Sequence, residues 1–189
     1  MWGTLIAFPR RYGYTDGMNK SELRAHLVGD NVLALIEIPR GSKNKYEWDE
    51  DLGGVALSRV LYQSVAYPAE YGFIPGTLAE DGDALDVVVL IDQPTFPGCL
   101  MRVRPIGILR LRQEGERDDK VLCVPVADPL YSETHDIGDI PAHRLVEIKH
   151  FFATYTELEG REVEVGDWEN ALAAMDEIRE CLVSEDQRD

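Results

Sequence analysis

Short apolar runs separated by glycine, proline and polar turns occupy the first two thirds of the chain. Runs rich in aliphatic and β-branched residues are typical of strands. They predict strands over residues 32–38, 44–48, 55–59, 71–74, 86–91, 101–111 and 120–126, with Pro105 interrupting the sixth. Strands at this spacing with Gly and Pro turns indicate a small barrel or a sandwich.

The last third of the chain changes to a helical pattern. Apolar residues recur at spacings of three and four, which places them on one face of a helix. They are Leu145, Ile148, Phe152, Tyr155 and Leu158. The same segment predicts a helix that begins near Pro141, is capped by Asp139 and stops at Gly160.

A second helix is predicted over residues 169–183, with Asp167 as its N-cap. Its apolar face contains Ala171, Met175, Ile178 and Leu182. Residues 1–30 are interpreted as an irregular extension with a short helix near residues 21–26, and residues 184–189 as a polar tail. The domain itself is therefore expected to span residues 31–183.

Composition limits the classes of function. The chain has 189 residues, of which 44% are hydrophobic, as expected for one globular domain. Its formal net charge of −16 argues against a nucleic acid or an anionic membrane as the partner. The three cysteines lack a paired spacing and favour reduced thiols in the cytoplasm. The first residues do not have the pattern of a signal peptide or a transmembrane helix.

An acidic turn is the strongest chemical signal. Asp81, Asp83 and Asp86 lie within six residues and precede a buried strand. Like charges at this spacing repel one another, so their ionised form requires a cation. Carboxylate oxygens on a tight turn that contains glycine suit a hard ion such as Mg²⁺. The alternative is a solvated Asp-Gly turn in a hairpin.

Four further segments combine charge with hydrogen-bond donors. Lys45 and Glu47 lie two residues apart, so an extended segment places them on one face. Alone, this pattern is more common on a solvated edge strand. The segment 118–120 adds a fourth acidic ligand and a second lysine, although by itself it is typical of a charged turn. The phenols of Tyr67 and Tyr71 can donate to phosphate oxygens. Taken singly, these tyrosines and the later Tyr155 are more often core residues.

These segments occur together in the order found in one family. Over about residues 30–175 the chain resembles the soluble family I inorganic pyrophosphatases. The resemblance rests on Glu37-Ile38-Pro39, Lys45-Tyr46-Glu47, Arg59, Tyr67-Pro68, Tyr71-Gly72, Asp81-Gly82-Asp83, Asp86, Asp118-Asp119-Lys120-Val121, His150-Phe151-Phe152 and Tyr155. It implies a mainly β fold with helices (α+β), in which two C-terminal helices pack against a five-stranded OB-like barrel.

The resemblance also implies the activity and the residues that carry it. The reaction would be hydrolysis of pyrophosphate to two phosphates with several Mg²⁺ ions, with Mn²⁺ as the alternative ion. The protein would be a cytoplasmic homo-oligomer, a hexamer in bacterial relatives. Asp81, Asp86 and Asp118 would be metal ligands, with Asp86 shared between two ions, and Asp83 would deprotonate the attacking water. Lys45, Arg59, Tyr71 and Tyr155 would contact phosphate, with Lys120 beside them. Glu37 and Glu47 would act through metal-bound water, and Tyr67 would support the site.

Three positions depart from the family pattern. Ala84 stands where the family has Pro or Glu, Gln113 where it has a metal-binding Asp, and Thr156 where it has Lys. We therefore expect a working enzyme with weakened affinity for substrate or for its associated metals.

The alternatives are a degenerate paralogue that binds phosphate compounds or a protein partner, and an OB-type nucleic-acid module. The acidic charge disfavours the last, because such modules need a basic groove.

Overall fold

The computed structural model describes residue 27 and residues 29–183. Most of the predicted N-terminal extension, its short helix near residues 21–26 and the polar tail at 184–189 lie outside the described residues. Within them, the strands are β1 (Val32–Ile38), β2 (Asn44–Asp49), β3 (Gly54–Val60), β4 (Glu70–Phe73), β5 (Asp86–Val89), β6 (Cys99–Gln113), β7 (Glu116–Arg117), β8 (Lys120–Pro125) and β9 (Val163–Asn170). The helices are α1 (Ala142–Thr154) and α2 (Ala171–Cys181).

Five of the strands form a closed ring. Their order is β1-β4-β5-β8-β6, and β6 pairs back onto β1. The ring closes because β6 is long enough for two partners: its first residues pair with β1, and residues from Val103 onward pair with β8. Closure leaves few unpaired strand edges. The predicted five-stranded OB-like barrel is thereby confirmed.

Pro105 does not interrupt β6. The register against β8 shifts between Pro105 and Gly107, so the strand continues through a bulge. A proline lacks the N–H group that a regular ladder needs, and a bulge is where a strand accommodates one. The segment is therefore one strand of 15 residues.

The two helices pack on opposite sides of the barrel strands. Successive residues of a strand face opposite sides, so Ile108 and Leu109 belong to different core clusters. Helix α1 contributes Ile148, Phe151 and Phe152 to the cluster with Leu109. Helix α2 contributes Ala174, Met175 and Ile178 to the cluster with Ile108. The prediction of two C-terminal helices packed on the barrel is confirmed. Among the described helices, none has the length and apolarity needed to span a membrane.

The first helix begins next to Pro141, as predicted, but its predicted cap and its predicted end are wrong. Asp139 belongs to a preceding 3₁₀ turn, where its carboxylate accepts the N–H groups of His135 and Asp136. Pro141 is the N-cap residue and makes no side-chain cap. The helix ends at Thr154, and Gly160, with φ of 72°, ends a separate 3₁₀ turn. Leu158 is on that turn and is exposed.

The strand β9 replaces the predicted start of the second helix. Asp167 lies inside β9, and Asn170 caps α2 by accepting the N–H of Ala173. The apolar positions of β9 are only half-buried, so their alternation is a weak signal in the sequence. Antiparallel pairing with β6 determines the extended conformation. The helix ends at Cys181, and Leu182 is its C-cap.

Gly72 provides a test of this packing. A Cβ atom there would lie 1.9 Å from the carbonyl oxygen of Leu35 in the neighbouring strand β1. We expect Gly72→Ala to lower the free energy of unfolding by at least about 3 kcal/mol, because a backbone atom cannot move aside without breaking the β1–β4 ladder. Urea unfolding followed by tryptophan fluorescence measures the change.

The matched control is Gly54→Ala. A Cβ atom at Gly54 meets no heavy atom within 4 Å, and this residue is not among the glycines with positive φ. Its free energy of unfolding should stay within about 1 kcal/mol of wild type. Equal losses in the two variants would contradict the proposed steric cause.

Candidate active site

The parallel pairing of β5 and β8 brings the two acidic segments together. In this pair Asp86 is opposite Lys120, at the N-terminal end of each strand. The turn with Asp81 and Asp83 leads into β5, and Asp118 immediately precedes β8. Parallel strands begin at the same edge of a sheet, so segments 32 residues apart in sequence meet there.

These segments line a cavity of about 640 Å³. Ten of the predicted site residues line it: Glu37, Lys45, Glu47, Tyr71, Asp81, Asp83, Asp86, Asp118, Lys120 and Tyr155. Arg59 and Tyr67 do not. The lining also includes Trp48, Phe73, Ala84, Gln113, Glu114 and Glu116. The charged lining residues are mainly carboxylates, and the two lysines face them.

Lys120 connects the two acidic segments. Its side chain is 2% exposed, and its ammonium donates to Asp86 Oδ2 and to Asp118 Oδ1. Burial alone would lower the pKa of Lys120, but the charges of Asp86 and Asp118 outweigh it and raise the pKa above its ordinary value. The ammonium therefore stays charged and holds the two carboxylates close to each other.

Asp118 is the most perturbed carboxyl group of the cavity. Burial raises its pKa to about 6; the charge of Lys120 opposes the rise and that of Asp86 adds to it. A carboxyl group with this pKa carries a proton in mildly acidic solution. A cation that binds Asp118 in such a solution must therefore displace that proton.

Three phenols line or support the cavity. Tyr71 donates to Asp86 Oδ2 at 2.5 Å. Tyr67 is 3% exposed, and its ring lies 5.5 Å from that of Tyr71 and 4.8 Å from that of Phe151. Burial raises the pKa values of Tyr67, Tyr71 and Tyr155, so all three remain protonated donors. Tyr67 holds the other rings in place and does not itself face the cavity.

The hairpin of β2 and β3 provides another wall. Lys45 Nζ lies 2.5 Å from Glu47 Oε1, as the two-residue spacing predicts for one face of a strand. Burial acts to raise the pKa of Glu47, but hydrogen bonds from Lys45 and Ser58 outweigh it and lower the pKa. Glu37, on β1, accepts the backbone N–H of Trp48 at 2.7 Å and so joins the hairpin to the barrel.

Arg59 is turned towards a different partner. Its Nε lies 3.1 Å from Glu159 Oε1 and its Nη2 lies 3.0 Å from Glu159 Oε2. Such a bidentate pair fixes the plane of the guanidinium group. In this arrangement Arg59 does not line the cavity, and it would have to exchange Glu159 for another anion to contact a ligand there.

The two departures on the substrate side have different surroundings. Gln113 lines the cavity, and its Oε1 accepts the hydroxyl of Tyr155 at 3.2 Å. Thr156 is 2% exposed and is not among the lining residues. The Cα of a lysine at position 156 would therefore lie in a buried environment. A substitution at position 113, by contrast, changes a side chain that lines the cavity.

The β6–β7 hairpin adds two acidic residues that are outside the predicted set of site residues. Glu114, with φ of 53°, and Gly115, with φ of 88°, form a two-residue hairpin turn. Glu114 and Glu116 line the cavity beside Asp118. The Glu-Gly pair after a long apolar run was the available signal for this turn, but only the fold places its side chains at the cavity.

The donor set of the cavity fits a hard divalent cation. Its acidic residues offer oxygen atoms only, and Lys120 engages one oxygen of Asp86 and one of Asp118. Across residue 27 and residues 29–183, no three acidic, histidine or cysteine side chains already stand in coordinating positions. Ion binding at Asp86 and Asp118 would use their second oxygens and small rotations of the neighbouring side chains.

Comparison with known proteins agrees with these observations. A family model described as inorganic pyrophosphatase matches residues 34–185. An inorganic pyrophosphatase from Synechocystis is 50% identical over 165 residues, which is 87% of this chain and 98% of that protein. One from Geobacillus stearothermophilus is 50% identical over 151 residues, 80% of this chain and 92% of that protein.

Solved structures give the same result. The inorganic pyrophosphatase of Thermus thermophilus superposes with a TM-score of 0.80 at 45% identity, covering 85% of this chain and 96% of that one. That of Helicobacter pylori superposes with a TM-score of 0.81 at 37% identity, with the same coverages. The closed barrel, the acidic cavity and these similarities together establish that the chain belongs to the inorganic pyrophosphatase family.

Proposed function

We propose that this chain hydrolyses inorganic pyrophosphate to two phosphates with the help of Mg²⁺, with Mn²⁺ as an alternative ion. The observation that supports this most strongly is the convergence of Asp81, Asp83, Asp86 and Asp118 on one cavity with Lys45 and Lys120. Pyrophosphate is a polyanion. A cavity rich in carboxylates can therefore bind it only when cations lie between the carboxylates and the pyrophosphate. Membership of the family supports the same reaction.

The acidic residues divide into ligands and a base. Asp81, Asp86 and Asp118 supply oxygen atoms that would hold the ions, with Asp86 shared between two of them. Bound Mg²⁺ neutralises the substrate and lowers the pKa of a coordinated water. Asp83, on the turn that leads into β5, would accept the proton of the attacking water.

The donors of the cavity would contact the phosphate groups. Lys45 and Lys120 supply positive charge, while Tyr71 and Tyr155 donate hydrogen bonds without adding charge. Arg59 would join them by exchanging Glu159 for phosphate oxygens, which its planar donors can also bind in pairs. Glu37 and Glu47 would act through metal-bound water, and Tyr67 would hold the phenol rings in position.

The wider setting follows from the same proposal. A homo-oligomer, a hexamer as in bacterial relatives, and a cytoplasmic location are expected. Neither a nucleic acid nor a membrane is expected as a partner, because the net charge is −16. A non-hydrolytic paralogue is disfavoured, because all four predicted catalytic carboxylates line the cavity and relatives at 50% identity are named as the enzyme.

The first test is phosphate release from pyrophosphate by the purified protein at millimolar Mg²⁺. We expect turnover by wild type and a loss of at least about 100-fold in kcat for Asp83→Asn, because the amide cannot accept the proton. Asp51→Asn, an exposed change on the β2–β3 turn, is the control and should match wild type. Absence of turnover by wild type above background would refute the proposed reaction.

The effect of Gln113, which stands where the family has Asp, can be tested by restoring the carboxylate. We expect Gln113→Asp to tighten Mg²⁺ binding and to lower KM by about three- to tenfold, because a carboxylate adds a charged ligand worth about 1 kcal/mol. Calorimetry with Mg²⁺ and steady-state kinetics measure the two effects. Tyr155→Phe removes the partner of Gln113 and should leave Mg²⁺ affinity unchanged while raising KM.

Thr156→Lys tests the other departure from the family pattern by itself. Because Thr156 is 2% exposed, we expect this change to lower stability more than it improves KM. A large improvement in KM with unchanged stability would show that the buried surroundings do not restrict this position.

The pKa of Asp118 predicts a pH dependence of metal binding. Its raised value of about 6 means that the metal-free carboxyl is protonated below this pH and ionised above it. Mg²⁺ affinity should therefore fall as pH decreases through 6, and binding at pH 5.5 should release about three quarters of a proton more than at pH 8. Proton release measured in weakly buffered solution tests this. Asp118→Asn should remove the difference, and persistence of the release in that variant would assign it to another group.

A further inference from the structure

A charged network lies on the side of the barrel away from the cavity, directly behind Asp118 and Lys120. Asp119, between them in sequence, is 6% exposed and points the other way. Its Oδ1 accepts the backbone N–H of Leu111 at 2.9 Å. Its Oδ2 accepts Arg110 Nη1 at 2.7 Å and Arg117 Nε at 2.6 Å. The hydrogen bonds of Asp119 thus restrain the backbone between Asp118 and Lys120.

The same two arginines connect this segment to helix α2. Arg110 Nη1 also donates to Glu177 Oε2 at 2.6 Å, and Arg117 Nη2 pairs with the same oxygen. Glu177 lies on α2 and is 7% exposed. A carboxylate this buried is stable only when cations compensate its charge, so Asp119 and Glu177 depend on the two arginines. Arg110 Nη2 also donates to the more exposed Glu169 Oε2 at 2.8 Å.

The end of α2 holds the other acidic segment. Leu78 N–H donates to Cys181 O at 2.8 Å, and Val183 N–H donates to Gly76 O at 3.2 Å. From this anchored loop, Ala79 N–H donates to Asp83 O at 2.7 Å. Helix α2 therefore contacts the supports of both acidic segments, one through Glu177 and one through its C-terminal backbone.

We propose that α2 sets the spacing between the Asp81–Asp83 turn and Asp118, and that Glu177 is a positioning residue for metal binding although it does not line the cavity. It acts through Arg110, Arg117 and Asp119. This inference rests on the proposed function, because it assigns to Asp118 a role as a metal ligand. Residues that orient metal ligands typically change metal affinity by about 10–100-fold when replaced.

The test is Mg²⁺ binding to the metal-free protein, measured by calorimetry without substrate. Glu177→Gln keeps the shape of the side chain and removes its charge. We expect its Mg²⁺ affinity to fall about tenfold and the Mg²⁺ concentration for half-maximal turnover to rise by a similar factor. At saturating Mg²⁺, kcat should return close to wild type, because the residues that touch substrate are unchanged.

Two controls separate positioning from stability. Asp176→Asn removes the same charge from an exposed pair with Arg179 on the same helix and should bind Mg²⁺ as wild type does. Ile178→Val shortens a fully buried residue of α2, with an expected cost of about 0.5–1.5 kcal/mol, and should also leave Mg²⁺ affinity unchanged. Asp119→Asn should reproduce the effect of Glu177→Gln, and the double variant should lose less than the sum of the two.

Unchanged Mg²⁺ affinity in Glu177→Gln, or an equal loss in Ile178→Val, would overturn the inference. If Glu177→Gln does not fold, Arg110→Lys weakens the same network while keeping its charge and should show the same loss of affinity. The Mg²⁺ affinity measured by calorimetry does not depend on whether the protein hydrolyses pyrophosphate. Wild type that binds Mg²⁺ but does not release phosphate would refute the reaction, and affinity compared across the variants would still decide the role of Glu177.

Discussion

The structure depends on one buried cation. Lys120 begins a core strand, is 2% exposed, and pairs with carboxylates from two segments of the barrel. An unpaired ammonium at this depth would cost several kcal/mol, and so would two facing carboxylates without it. The parallel register of β5 and β8, which sets Asp86 opposite Lys120, is therefore supported by charge as well as by the backbone ladder.

This pairing explains how an acidic protein can bind a polyanion. The lysine keeps Asp86 and Asp118 close, and burial raises the pKa of Asp118, so that the cavity favours a further cation. The phenols above it remain neutral donors because they too are buried. In the proposed function, bound cations would lie between these carboxylates and the anionic substrate.

The walls of the cavity come from separate elements that must hold their spacing. The β2–β3 hairpin presents Lys45 and Glu47 and is tied to the barrel through Glu37. The end of β6 brings Gln113 against Tyr155, which follows α1. Behind the strands, Arg110 and Arg117 link Asp119 to α2. A site built in this way owes its geometry to contacts that are distant from its chemistry.

The sequence by itself predicted the barrel strands and the two helices, because apolar runs are local signals. The carboxylate motifs, taken with the family resemblance, predicted ten of the residues that line the cavity. It could not determine β9, where half-buried alternation is too weak and pairing with β6 decides the conformation. Nor could it show that Asp139 belongs to a separate 3₁₀ turn whose N-cap is Asp136, or that Arg59 faces Glu159. Asp119 and Glu177 look like solvated charges in the sequence. Only the tertiary structure brings both to Arg110 and Arg117, because α2 must first pack against the strands that carry these arginines.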